Sequence, residues 1–412
     1  MTTVQESTAA QDTLIFPFPG SSHRGPAPHW ARLRAEQPVV RVPVAGGGHA
    51  WLVTRHADIR AVLDGGRLSR AATYHPAAPR FSGLFQAPPG MIISLDPPDH
   101  TRLRDLAVQA FSPERIAAMR PRVRGLVTAL LDRIGGGTAD LVADFATPLA
   151  LTVICELLGV PEQDRGRFQQ WVERFADVSG PEEQAVEARE QLAGYIAGLV
   201  AAKRERPADD VLSALIAARL PAAGVGRDRL DEGELIGLGY TLLGAGFDSS
   251  AAQVANSVLT LLARHQEVWR RLGGHPEEIP TAVEELLRTV NLTADDTSGL
   301  PRIALEDIAL GGTTIPAGDA VFLAFASANR DEAAFADAAG VDFTRAENPH
   351  LAFGHGIHHC LGAPLARIEI AVALEELTRR HPGARLAVPE EELRWRTGDV
   401  NHHLLALPVL LP

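Results

Sequence analysis

At 412 residues with 46% hydrophobic content, the chain can bury a large core, as one big domain or as two to three ordinary ones. A net charge of −12 argues against a nucleic-acid coat and for ordinary acidic solubility. Two cysteines, Cys155 and Cys360, are too few for a disulfide framework or a four-cysteine iron–sulfur cluster.

The opening stretch MTTVQESTAAQDTLIFPFPG has no basic start followed by an apolar core, so it reads as a loose leader over 1–20 rather than a secretory signal. No window reaches the ~18 apolar residues of a membrane span, and the expectation is a soluble cytoplasmic protein. No Gly/Ser linker, internal repeat or long single-sign charge block interrupts the remainder, so residues 21–412 are expected to form one domain.

In chain order, strand-like pieces come first, at 38–54 (VVRVPV, HAWLVT). In SLDPPDHTRLR (94–104), Pro97 and Pro98 stop a strand and set up a helix carrying His100 and Arg104 four residues apart. Those two share a face, as a carboxylate clamp or as part of a solvated amphipathic helix. Six arginines between Asp99 and Arg124 (102, 104, 115, 120, 122, 124) predict a local basic face. Helical periodicity then covers 113–134, 140–159, 162–177, 181–204 and 208–219. Cys155, inside LTVICELL, reads as a small buried hydrophobe.

The longest helical pattern runs from an Asp231 cap to His265, near ~50 Å at ~1.5 Å per residue. Its middle, LLGAGFDSS (242–250), is anomalous, because Gly244 and Gly246 each cost about 1 kcal/mol relative to Ala in a helix interior. Asp248, Ser249 and Ser250 follow and can open the helix locally. Either the glycines pack closely on a neighbour, or the segment is a ligand groove lined by an acid and a hydroxyl. In TAVEELLR (281–288), Glu285 and Arg288 share a helix face; an exposed pair of that kind contributes little. Short strands are expected over 302–324 and in the C-terminal LLALPVLLP.

The segment with the strongest chemical signal is HLAFGHGIHHCLGAPL, His350 to Leu365. Gly354 and Gly356 allow turns that aim amides at one sulfur, and a following helix N-terminus favours the thiolate of Cys360. This is the geometry of a metal ligand. A zinc site built with histidines 350, 355, 358 and 359 is the competing account, but HxxHHC lacks the paired spacing of structural zinc modules.

Together, FGHGIHHCLG (353–362), Glu285/Arg288 and GAGFDSS in a long central helix resemble the cytochrome P450 monooxygenases of the soluble actinobacterial type. ANRDEAAFADA (328–338) is also similar to the segment preceding that family's cysteine loop. The resemblance implies a mainly α single-domain fold with small β-sheets, and haem b between the central helix and the cysteine-loop helix. Cys360 would be the axial thiolate, with Phe353, Gly354, Gly356 and Gly362 shaping its pocket. His100, Arg104, Arg302 and His358 would hold the two propionates, and Glu285 and Arg288 would fix the core behind the haem. Asp248 and Ser249 would be the catalytic pair relaying protons to dioxygen, and a thiolate ligand favours O–O cleavage. Electrons would come from a ferredoxin and a ferredoxin reductase, steered by the arginines of 102–124.

Two departures from the family pattern stand out. Ser249 replaces the usual threonine and loses the methyl that restricts the rotamer. Near Gly340, where a basic residue often joins the Glu/Arg pair, there is none, which leaves Arg345 to complete the network. The pocket that the resemblance implies, which includes the helix junction near Phe175 to Val178, mixes Phe81, Leu84, Phe85, Met91, Val178, Leu292 and Val400 with Asn291, Thr293, Asp295, Asp296 and Asn401, which suits a medium-sized, partly oxygenated or nitrogen-bearing natural product. Oxidative coupling or another non-hydroxylating oxidation, a haem sensor or carrier, and a non-catalytic binding relative are the alternatives.

Overall fold

Proline and serine open the first long helix where the pattern puts them. The computed structural model describes residues 14–45, 47–79, 81, 90–176, 181–220, 228–297 and 300–412. Its helix Pro113–Ile134 has Pro113 at the first position, and the Ser112 side chain accepts from the Arg115 amide. Helices Arg165–Ala176, Glu182–Glu205 and Val211–Ala217 follow, the last capped by Asp210. The helix expected over 140–159 starts late. Gly137–Asp140 is drawn into pairing with the C-terminal strand Pro408–Leu411, a π turn spans Val142–Ala146, and α-helix covers only Thr147–Leu158. A partner strand distant in sequence here overrides the local pattern.

The central helix, Glu232–Arg264, is 33 residues long and opens on a full capping box of Asp231 and Glu234. At ~1.5 Å per residue it spans about 50 Å. It is uninterrupted, so the expected opening at 248–250 is absent. Ser249 Oγ donates instead to the Ala245 carbonyl at 2.8 Å, which satisfies the hydroxyl inside the helical ladder. The close-packing account of the glycines holds at Gly246 but not at Gly244. A Cβ on Gly246 would lie 2.7 Å from Ile154 Cδ1, whereas one on Gly244 would meet nothing within 4 Å. Gly239 repeats the close approach, with Ile196 Cγ2 at 2.8 Å.

A five-stranded sheet lies apart from the helical core, in the order Val39–Pro43, His49–Val53, Ala320–Leu323, Arg302–Ala304, Leu68–Ser69. Only the second and third strands pair in parallel. The antiparallel register setting Ser69 opposite Ile303, continued by one residue, brings Arg70 opposite Arg302. The expected leader over 1–20 is corrected in its described part: Phe16 and Phe18, at 0% and 5% exposure, pack with Trp30, Leu52 and Phe322 beside this sheet. Apolar rings of that size gain more by burial than a free chain gains in entropy. Residues 291–297 form no strand; Thr293 makes a single antiparallel bridge to Asn401. Among the described residues no helix is long and apolar enough to cross a membrane.

Candidate functional site

The loop before Cys360 is folded by two left-handed glycines, Gly354 at φ 72° and Gly356 at φ 73°. A side chain at Gly356 would also press on the Leu63 carbonyl, 3.3 Å from its Cβ. The Cys360 amide donates to the Phe353 carbonyl at 2.9 Å, which turns the cysteine towards the start of helix Ala363–Arg380. Cys360 keeps part of its surface exposed but sits deep in the molecule. Burial pushes its thiol pKa up, while the amides of Gly362 and Ala363 and the charges of Arg104 and Arg367 act to lower it. Gly362 therefore acts through its N–H. Its φ is −82°, and a Cβ there would only touch the sulfur at 3.9 Å. Arg367 stacks over Phe353 at 4.7 Å. His350 and His355 are engaged by Glu284 and Asp64, which removes them from the competing zinc arrangement.

Around this loop the fold gathers arginines and histidines without matching anions. Arg302 and His100 are 4% and 2% exposed, and Arg302 Nη1, His100 Nδ1 and Arg70 Nε are buried without a hydrogen-bond partner. Burial, then the neighbouring charge of Arg70, holds the Arg302 pKa well below the ordinary value. Arg70 itself is pushed down by burial to about 10. His358, its ring 4.3 Å from that of His100, is pushed to about 2 by burial and by the charges of Arg70, His100, Arg302 and Arg104. Asp96, the carboxylate whose charge acts on both arginines, already accepts from Ser69 Oγ and the Arg70 and Ala71 amides. Buried, unpaired donors of this kind call for a multiply charged anion. Arg104 reaches the same region but gives one nitrogen, Nη2, to the His359 carbonyl at 2.7 Å.

On the central helix, Asp248 is 9% exposed. Its Oδ2 accepts from His403 Nε2 at 2.7 Å and from Asn401 Nδ2 at 3.1 Å. Burial pushes this carboxyl up, but His403, Asn401 and the more distant Arg396 outweigh it and leave it below the usual range. Ser249 and Gln253 of the central helix line a cavity whose other walls include Leu292, Phe325, Phe353 and Ile370. A second cavity, about 470 Å³, lies between Met91, Arg189, Glu190 and the helix turn Ile236–Tyr240, within the volume range of organic-ligand sites.

Behind the cysteine loop, Glu285 and Arg288 are fully buried and doubly bonded, at 2.8 and 2.6 Å. Arg288 also donates to the carbonyls of Asn329, Ala338 and Gly340. Glu285 accepts from the Asp342 amide, Asn348 and, at 3.3 Å, Arg345. Arg345 thus closes the network that Gly340 leaves open, and the pair is structural rather than exposed.

Two expectations are corrected. The arginines of 102–124 do not form a free basic face: Arg102 pairs with Glu234, Arg115 with Asp209, Arg120 with Glu375, Arg122 with Glu156 and Arg124 with Glu375 and Glu376. Counting charge along the chain omitted the partner acids that the fold brings in. Asp296 lines neither cavity, whereas Asn291 and Thr293 do line the one at Ser249. Asp296, 1% exposed, accepts from Ser21, the Ala27 amide, Trp30 and Asn291 and so ties residues 21–30 to this segment. Leu84, Phe85, Val178 and the side chain of Phe175 lie outside the described residues. Arg70 and His403 were not among the expected site residues. The first is placed by a strand ladder with no local signal, and the second lies two residues past the turn that the sequence assigned to the pocket wall.

The family model described as Cytochrome P450 matches residues 45–381. The chain is 45% identical to the mycinamicin IV hydroxylase/epoxidase of Micromonospora griseorubida, over 93% of this chain and 95% of that one. It is 44% identical to the nocardicin C N-oxygenase of Nocardia uniformis subsp. tsuyamanensis, over 97% and 98%. Among solved structures, the LnmA cytochrome P450 hydroxylase of the leinamycin pathway of Streptomyces atroolivaceus S-140 superposes with a TM-score of 0.87 at 45% identity, covering 96% of this chain and 99% of that one.

Proposed function

The chain belongs to the cytochrome P450 family, and from that premise we propose that it is a haem-thiolate monooxygenase of natural-product biosynthesis with Cys360 as the iron ligand. The observation that carries the reading is the set of buried donors on Arg70, Arg302 and His100 that no protein anion satisfies, lying around His358 in the loop of a cysteine whose sulfur accepts two amides. That donor set fits haem b, with its two carboxylates and one axial position. His358 and Arg104 would complete the clamp, and Phe353, Gly354, Gly356 and Gly362 would form the bed under the sulfur. When bound, the haem iron with its electron-rich thiolate activates dioxygen for oxygen insertion.

The protein's own part is to bind, exclude water and deliver protons. Asp248 holds a carboxylate on the central helix, and Ser249 a hydroxyl one residue on; an acid and a hydroxyl together relay protons through ordered water. Ser249 must leave the Ala245 carbonyl to take part, and without a γ-methyl it rotates more freely than threonine would. The relatives named above act on mycinamicin IV and nocardicin C, and the cavity at Met91 and Tyr240 is of a size for a comparable medium-sized natural product.

Electrons come from a ferredoxin and its reductase in the cytoplasm, since the sequence carries neither a flavin motif nor a cysteine cluster. Arg102 and Arg115 are engaged internally, so docking falls to the surface of the cysteine loop. There Ile357 is 48% exposed, as is Val108 at 46%, one turn beyond Arg104.

Carbon monoxide difference spectroscopy of the reduced protein tests the reading. A strongly red-shifted Soret band is expected, and a histidine-type spectrum would overturn it. The clamp has its own test. Arg70→Gln should speed haem loss to a scavenger globin by about 10-fold, the worth of one charge-assisted hydrogen bond. Loss at the wild-type rate would remove Arg70 from the clamp.

A further inference from the structure

The distal acid is held by the C-terminal end of the chain. Residues 395–404 fold back on themselves, with Trp395 bridged to Leu404 and the Arg396 amide bonded to the His403 carbonyl at 2.8 Å. This turn is fastened to the central helix at two points. Asn256 Nδ2 donates to the His402 carbonyl at 2.9 Å, and two turns earlier in the helix Asp248 takes both His403 and Asn401 on one oxygen, Oδ2. The turn also pairs with the opposite wall, through Thr293 and Asn401 and through the Ala294 amide to the Val400 carbonyl.

The surroundings of His403 are unusual for a structural histidine. It is 7% exposed, and Asp399 is 8% exposed; the ligand atoms of Asp248, Asp399 and His403 lie within 4.8 Å of one another. Asp399 Oδ2 stands 4.0 Å from His403 Nε2 and is engaged by Arg396 at 3.2 Å. Asp399 therefore has its own cation, which leaves His403 to Asp248. Because the Asp248 carboxylate accepts, Nε2 carries the proton and donates it to the bond. Both protein donors fall on Oδ2, so the bond fixes the χ angles of the acid and leaves Oδ1 clear of them. A carboxylate free to rotate would present either oxygen and lose the alignment that proton transfer requires.

We propose that His403 is the positioning residue of Asp248, setting the rotamer in which the acid delivers protons. The assignment rests on the reading of Asp248 as the distal acid. Three variants and one cycle test it, with the haem-loaded protein reduced by saturating plant-type ferredoxin and its reductase, and oxygen consumption as the measurement. His403→Ala should slow consumption roughly 10-fold, a part of the ~10²-fold that loss of an acid outright costs. His403→Gln, which keeps an N–H donor, should recover most of it. Asp248→Asn should be slow by itself, and adding His403→Ala to it should change nothing further, because the positioned group is already gone. Additive effects in the double variant, or wild-type rates in His403→Ala, would overturn the proposal. If His403→Ala fails to fold, His403→Gln at less than half the wild-type rate in a folded protein does the same.

The contact is also read without turnover. In ¹⁵N-histidine spectra, Asp248→Asn should move the ring signals that His403→Gln deletes, and unmoved signals would mean no such bond. Failure of the haem-thiolate reading is separable, since it appears as a wild-type carbon monoxide spectrum without the red-shifted band, whatever the variants do.

Discussion

Cys360→Ser should give a folded protein whose reduced carbon monoxide complex lacks the red-shifted Soret band and whose oxygen-insertion turnover falls at least about 10³-fold, as loss of a member of a catalytic unit does. The two side chains are nearly isosteric, the Cys360 amide still bonds Phe353, and the helix Ala363–Arg380 still begins at the same place. The change is therefore one of donor atom. Sulfur is soft and electron-rich, and a serine oxygen in its position supplies neither property to an iron. Haem content is the control. Retention of haem through Arg70, Arg302 and His100 with loss of the band would separate the clamp from the ligand, and a red-shifted band surviving in Cys360→Ser would require another sulfur. The one other cysteine, Cys155, is 0% exposed in the helical core.

Arg288→Ala should remove most of the soluble folded protein. Arg288 and Glu285 side chains are both 0% exposed. Deleting the guanidinium strands a carboxylate and three backbone carbonyls, those of Asn329, Ala338 and Gly340. Breaking a buried pair from one side costs about 3–5 kcal/mol, against a total stability of about 5–15 kcal/mol for a native protein. Arg288→Lys should fail nearly as badly, because a point charge cannot fork to five acceptors. Soluble haem protein per cell and the urea midpoint report the loss. An unchanged midpoint in Arg288→Ala would refute the structural role, while Arg271→Ala, removing an exposed pair with Glu278, should leave it where it is.

How far the sequence reveals this site depends on how local each feature is. The cysteine loop is contained in ten residues, its glycines φ-positive as the motif requires. Glu285 and Arg288 are a single helix turn apart, and the central helix announces itself by its Asp231–Glu234 cap. What escapes is made by partners far away in the chain. Arg70 meets Arg302 only because residue 69 pairs with residue 303, and His403 meets Asp248 across 155 residues. The same distance accounts for the errors. The arginine run looked free because Glu156, Asp209, Glu234, Glu375 and Glu376 come from other segments of the chain. Asp296 looked like pocket polarity because its true partners, Ser21, Ala27 and Trp30, lie some 270 residues earlier.

The two close approaches of the central helix also bear on movement. Ile196 on helix Glu182–Glu205 sits against the bare backbone of Gly239, and Ile154 on helix Thr147–Leu158 against Gly246. A side chain seated where no Cβ stands behaves as a ball in a socket. It permits tilting about that point but resists translation, since sliding would drive it into the neighbouring side chains of a close-packed interface. A tilt of Glu182–Glu205 about Ile196 would therefore swing its two ends in opposite senses beside Met91 and Arg189 while leaving the contact at Gly246 in place.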